Sequence, residues 1–327
     1  MTAPQDRRAA LFRDFQEALL FKSGNVELDR LGRESLLLSV SDDPDFVSEW
    51  HRLVGSEQAV LDLHLGGPGV VHNMTRADRF ASFVSHLATT VQRAAREATG
   101  RKRYPRQLLV EGVQPGSVRV VLRAPAPVIP RNQAVDDLTA ASTVDSNALR
   151  LVATIIAHAN DPAHDSIVTA AVQSLPVPAR IPLRSAIDQV QGTGWEIDGS
   201  ISQRGFGYSE LNLTSQGATR LRLELDAKAE KKYTEDMFGR ISGSKDIEGI
   251  VWFTPEGGSE FRARVADDSN LRRRVVEYQL DHPRVSARFN VVETHVGGAD
   301  RTSIRTAHIL QGVSLAPTGT QASLDDG

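Results

Sequence analysis

The chain has 327 residues and no cysteine. Disulfides, thiolate metal sites, iron–sulfur clusters and cysteine nucleophiles are therefore excluded. Lysine is also scarce. Of 38 basic residues, only Lys22, Lys102, Lys228, Lys231, Lys232 and Lys245 are lysines, which removes much lysine chemistry. Aromatic residues make up 6%, so Val, Leu, Ile and Ala must build the core. The longest apolar run, Leu151 to Ala157 with Thr154 inside it, falls far short of the roughly 18 residues a membrane-spanning helix needs. The first 20 residues carry acids and lack a long apolar segment ending in small residues, so they do not read as a secretory signal. They read as an amphipathic helix with Leu11, Phe12, Phe15 and Leu19 on one face. The expected location is the cytoplasm, with no membrane partner, and the Asn-x-Thr triplets at Asn73 and Asn212 then carry no glycosylation meaning. A nucleophile elbow, a His-Glu-x-x-His helix, an EF-hand loop, a Walker A loop and a dinucleotide-binding glycine pattern are all missing.

What is present is ordinary for a globular protein: 40% hydrophobic and 24% charged residues, with a net charge of -3. That charge gives no global attraction to nucleic acid, so binding of that kind needs a local patch. The length allows several domains of roughly 100–200 residues each. The pattern predicts an α+β, multi-domain chain in which β-α-β-β modules precede a small C-terminal barrel. Residues 1–58 form an N-terminal helical or mixed segment.

The first legible module spans 59–124. A strand at 59–65 ends in the turn cluster Gly66-Gly67-Pro68-Gly69. Thr75 and Asp78 resemble a capping box, and Phe80, Phe83, Val84, Leu87, Val91, Ala94, Ala95 and Ala98 follow at helical spacing until Gly100. A hairpin comes next, its strands at 106–113 and from Val118 onward, joined by Gln114-Pro115-Gly116-Ser117 with Pro and Gly where a type II turn requires them. Between helix and hairpin lies a basic run of Arg101, Lys102, Arg103 and Arg106, with Tyr104 beside it. This run reads either as a phosphate-contacting loop or as a solvated helix terminus. This helix-plus-hairpin, followed by a small barrel, resembles uncharacterised prokaryotic proteins, a likeness that implies no activity.

A proline-rich connector occupies 125–148, and a second helix-plus-hairpin module occupies 149–236. A buried helix there carries Leu149, Val152, Ile155 and Ile156. His158, Asp161, His164 and Asp165 are metal-ligand types, but Pro162 interrupts the helix that would align them. A helix opened by Pro182 leads to strands at 195–203 and 207–214. The stretch 219–228 is ambiguous. Leu221, Leu223 and Leu225 alternate as in a strand, whereas Ala218, Leu221, Leu225 and Ala229 share one face of a helix running from about 215 to 237. As a strand, its Asp226-x-Lys228 resembles the metal core of restriction-type nucleases. That resemblance implies Mg²⁺ held by Asp226 with Asp198 or Glu210, and Lys228 positioning a water.

Residues 237–313 predict three strands, a helix and two strands, the order of an OB-type barrel. A disordered tail at 314–327 follows. The outer face of the barrel would present Arg262 and Arg264, with Trp252 or Phe253 for stacking and Arg284 and Arg288 extending the basic character. The favoured expectation is a non-catalytic binding or assembly protein that needs no cofactor. Its partner would be single-stranded nucleic acid, another protein or its own copies. The alternatives are the Mg²⁺-dependent nuclease and a self-assembling structural subunit.

Overall fold

The computed structural model describes residues 4–111, 118–127, 142–227, 229–298 and 301–317. Two compact units emerge. The first comprises Met1–Ala227 and Asp246–Glu248; the second comprises Lys228–Lys245 and Gly249–Gly327. Helices and strands are mixed, as expected for an α+β chain. Among the described residues, no helix is long and apolar enough to cross a membrane.

Unit 1 opens with three helices, α1 (Pro4–Leu20), α2 (Val26–Ser39) and α3 (Pro44–Val54). Phe15, Leu19 and Phe46 form their small core, whereas Leu11 is exposed. α2 buries none of its residues. The strands β1 (Val60–Gly66), β2 (Leu109–Glu111), β3 (Val118–Arg123), β4 (Glu196–Gln203) and β5 (Gly207–Leu213) make one sheet in the order β2-β3-β1-β4-β5. The two helix-plus-hairpin segments read from the sequence as separate modules thus share a sheet, because β1 pairs with β4 as well as with β3. Alternation sends Leu61, Leu63, Leu65, Val120, Leu122, Ile197 and Ile201 into one core. That core also holds the buried faces of α4 (Ala77–Thr99), α5 (Val144–Ala157) and α7 (Val177–Thr193). α6 (Asp165–Ser174) and α8 (Ser215–Asp226) complete the unit.

Several local expectations change. Thr75 does not cap α4; its hydroxyl donates to the Gly69 carbonyl at 3.0 Å and accepts from the Trp195 indole at 2.9 Å. Gly100 stops α4 as expected, at φ +63°. Helix α5 begins at Val144, inside the stretch assigned to the connector, because Thr143 caps it through the Ser146 amide. The Pro-Gly turn at 114–117, most of the connector and most of the tail lie outside the described residues. α7 begins at Val177 rather than at Pro182, so Pro182 is internal. A proline there cannot donate to the carbonyl four residues back. That carbonyl, on Pro178, instead accepts from Arg93 Nη1 at 2.8 Å.

The ambiguous stretch resolves into neither simple reading. Residues 215–226 are helix α8, capped by the Thr214 hydroxyl on the Gly217 amide, with Ala218, Leu221 and Leu225 buried and Leu223 exposed. The chain then becomes strand β6 (Ala229–Lys245). The predicted helix therefore ends about ten residues early, and the barrel begins before Met237.

Unit 2 is a closed barrel of β6, β7 (Ile250–Pro255), β8 (Phe261–Val265), β9 (Val285–Gly298) and β10 (Arg301–Leu315), in the order β10-β8-β7-β6-β9. Helix α9 (Ser269–Asp281) lies in sequence between β8 and β9 and is capped by Asp268. β8 and β10 run parallel, and every other pairing is antiparallel. Val285, Ala287, Phe289 and Val291 point inward with no exposure, as their period of two requires.

Candidate functional site

The barrel's outer face differs from its sequence forecast in three places. On β7, Val251 and Phe253 face inward, which sends Trp252 outward. Phe253 is therefore a core residue, its ring 5.1 Å from Phe289 and 5.6 Å from Phe261, and is not available for stacking. Arg264 has the outward parity of Arg262 but is only 5% exposed. It lies against Gly249, next to Arg272 of α9. Burial lowers its pKa to about 10; Asp267 opposes that shift and Arg272 adds to it. Arg284 donates to both Glu256 oxygens at 2.5 and 3.0 Å, and Arg288 to both Asp236 oxygens at 2.8 and 3.2 Å. These guanidinium groups would have to leave a carboxylate to meet a phosphate. The arrangement that survives is smaller. Arg262 sits 5.8 Å from the centroid of the Trp252 ring and forms no ion pair among the described residues. Trp252 pairs with Gly243 of β6, where a side chain would begin 3.4 Å from the indole.

The other predicted residues fall apart from this face. Arg101, Lys102 and Arg103 form an exposed coil after Gly100. Tyr104 is not free to stack there. Its hydroxyl donates to Asp145 at 2.6 Å, and burial raises the pKa of both groups. The nuclease arrangement is not built. It needs Asp226 at a strand end, but Asp226 closes helix α8 and pairs with Arg184 at 2.9 Å. Asp198 accepts from Asn212, and Lys228 lies outside the described residues. Asp161 accepts from the Ala163 amide in the loop after α5, so it acts as a turn cap.

A site that sequence reasoning missed lies on the open face of the unit 1 sheet. Cross-strand register aligns Glu111, Val121, Asp62, Ser200 and Glu210 in one row, and Arg123, Val60, Ser202 and Tyr208 in the next. Apart from Ser202, which is itself buried, these residues alternate with the buried ones and project from the face opposite the core. Together with His51 of α3 and Arg119 of β3, most of them line a cleft of about 400 Å³. Arg119 grips Asp62 through Nε at 2.8 Å and Nη2 at 2.5 Å, and the Asp62 hydrogen bond raises the Arg119 pKa further. Arg123 donates from both Nε and Nη2 to a single Glu111 oxygen, Oε2, at 3.3 and 2.7 Å. The Tyr208 ring stacks on His51, with centroids 4.9 Å apart and planes 15° apart. Burial is the main cause that raises the Tyr208 pKa, followed by the charges of Glu210 and Asp62. At Gly199 a Cβ would fall 2.0 Å from the Asp62 carbonyl, so glycine is what allows β4 to close on β1 there. His64 stands 3.5 Å from Asp62 on the same face.

His51 is held neutral by burial, which lowers its pKa from 6.5 to about 4. The unfolded chain takes up that proton near pH 6.5, whereas the folded chain takes it up only near pH 4. Folding stability therefore falls as pH drops through this window and levels off below it. Partial exposure of the ring limits the loss to about 2 kcal/mol. Urea titrations of the native chain and of His51→Phe should diverge between pH 7 and pH 4.5, with the variant losing less. A gap of the same size at both pH values contradicts a neutral His51.

The chain matches no family model, no curated protein and no solved structure. The geometry of these two surfaces is what bears on function.

Proposed function

We propose that the chain is a non-catalytic binding protein whose barrel contacts single-stranded nucleic acid through the outer face of β7 and β8. The order of pairing supports reading the barrel as OB-like: three meandering strands, a helix, then two strands, with β10 parallel to β8 and β9 returning to β6. In that fold the second and third strands carry the ligand face. Here they present Trp252 and Arg262, and the observation that carries the proposal is Arg262 lying over Trp252 without a carboxylate partner among the described residues. An indole offers its face to any base, worth about 1–3 kcal/mol per stacked base, and an arginine beside it meets the phosphate. Phe238, which is exposed and lies 5.1 Å from the Arg284 guanidinium, extends the aromatic surface along β6.

Fluorescence anisotropy with a labelled 15-nucleotide oligothymidylate at low salt tests this reading. Saturable binding is expected, weakened at least tenfold by Trp252→Ala and by Arg262→Ala. Arg284→Ala should change it much less, since Glu256 already occupies that guanidinium. No binding, or binding insensitive to both first variants, rejects the proposal.

A further inference from the structure

The N-terminal pair of helices carries an apolar surface that no described residue covers. Of the twenty large hydrophobic residues exposed among the described residues, seven fall in α1, α2 and the turn between them. The inner face of α2 is tied down. Leu36 and Val40 pack on the core of Phe15, Leu19 and Phe46, Arg33 Nε donates to the Leu19 carbonyl at 3.2 Å, and Trp50 Nε1 donates to the Arg33 carbonyl at 2.9 Å. Those contacts fix which face of the helix points outward. It carries Leu28, Leu31, Ser35 and Leu38, and the three leucines are 59%, 52% and 76% exposed. Steps of three, four and three residues make a coiled-coil seam, in which each leucine is a knob that needs a hole on a facing helix. Gly32 and Ser39 flank the seam on one side and keep it low, with open space where a Gly32 side chain would begin. On the other side Arg30 pairs with Glu27 at 3.2 Å and with Glu34 at 2.8 Å, within the helix itself. An isolated helix of 14 residues is marginal in water, and α2 buries none of its residues.

We infer that α2 is a dimerisation helix: two copies of the chain pair through it antiparallel, with Leu28 of each against Leu38 of the other and Leu31 against Ser35. In that register every layer of the seam contains a leucine. A parallel pair would set Ser35 on Ser35 and leave a gap, which costs packing. The uncovered area is of the size a dimer needs. Seven residues, each half or more exposed, leave on the order of 700 Å² per copy, against roughly 800 Å² per partner in a standard interface. Charge narrows the choice of partner. Glu27 and Glu34 edge the seam, and Asp14 and Asp42 line the groove beside Ser39. That is the wrong sign for an anionic lipid surface or for nucleic acid. Among the described helices, α2 is the one that leaves such a stripe exposed, so the matching seam is the same helix in a second copy. A two-fold contact of this kind is isologous and closes at the dimer. The inference does not depend on the barrel's ligand, because every residue it uses belongs to unit 1.

Sedimentation velocity of the full-length protein from about 1 to about 200 µM tests it, with a reversible monomer–dimer equilibrium expected at a Kd below about 50 µM. Leu31→Glu and Leu38→Glu should each raise that Kd at least tenfold, since each sets a charge in the seam. Both side chains are more than half exposed, so the circular dichroism of the monomer should not change. The register is read separately. The chain has no cysteine, so thiol cross-linking reports introduced positions alone. Leu28→Cys combined with Leu38→Cys should give a covalent dimer in oxidised glutathione, and either substitution alone should give little. Trp252→Ala should leave the dimer intact, so failure at the barrel and failure at α2 remain distinguishable. Flotation with phosphatidylcholine–phosphatidylglycerol vesicles supplies the competing outcome. The inference is overturned if the protein stays monomeric at the highest concentration, or if the glutamate variants dimerise like the native chain. It is equally overturned if the single cysteine variants cross-link as well as the double one, or if vesicles capture the native chain and not Leu31→Glu.

Discussion

Glu248→Ala should destabilise unit 1 by about 2–5 kcal/mol, the usual cost of leaving two buried hydrogen-bond partners unmet. Glu248 is 3% exposed. One of its oxygens lies 2.6 Å from His158 Nε2, and the other accepts from the Ser209 hydroxyl. The alanine variant removes the group that holds both, and the low-dielectric surroundings magnify the loss. For a unit of this size the thermal midpoint should fall by roughly 10 °C. The cost belongs to the broken pair and not to the loss of polarity itself. The triple variant Glu248→Leu, His158→Leu and Ser209→Ala should therefore recover most of it, because apolar groups of similar volume need no partner. Calorimetry on the single and triple variants separates these effects. A single variant that loses less than about 1 kcal/mol would show that Glu248 is not the anchor its contacts describe.

Trp195→Ala should cost a similar amount, about 3–5 kcal/mol, through the cavity left by a large fully buried ring. Trp195 has no exposed surface and meets Phe83 edge-on at 5.8 Å. Its indole nitrogen also organises the loop after β1: it donates to Thr75, which donates to the Gly69 carbonyl. A side chain at Gly69 would collide with the Thr193 carbonyl at 2.2 Å, so the loop passes tightly beneath the end of α7. Trp195→Phe keeps most of the ring volume and loses only the hydrogen bond. It should cost about 1–2 kcal/mol, with faster amide exchange confined to residues near Gly69. Exchange that rises equally across unit 1 in the phenylalanine variant would contradict this division of roles.

The features legible in the sequence were those set by local periodicity. Phe83, Leu87 and Val91 gave α4 through their helical spacing, and Val285, Ala287, Phe289 and Val291 gave the inner wall of β9 through strict alternation. What the sequence hid depends on partners far along the chain. Arg284 and Arg288 read as free cations because Glu256 and Asp236 become neighbours only once the register is known. Arg264 had the right parity, yet α9 and Gly249 cover that end of the strand. Asp226 looked like a strand-end ligand because three alternating leucines precede it; a cap at Thr214 and an exposed Leu223 decide for the helix. The cleft was invisible for the same reason, since His51, Asp62, Arg119, Ser200 and Tyr208 come from five separate elements.

The central position of β1 has a consequence for how the chain is made. One neighbour, β3, follows β1 closely, but the other, β4, begins at Glu196, about 130 residues after β1 ends. At about 5–20 residues per second, a nascent chain carries β1 for roughly 6–26 seconds with one hydrogen-bonding edge unmet. An unmet edge recruits whatever strand is nearest, including one from another chain. Any piece cut before residue 196 keeps that edge permanently open, so an isolated segment 59–124 should aggregate rather than fold. Expression of the first unit should therefore respond more to translation pauses between residues 66 and 196 than to anything that alters the barrel.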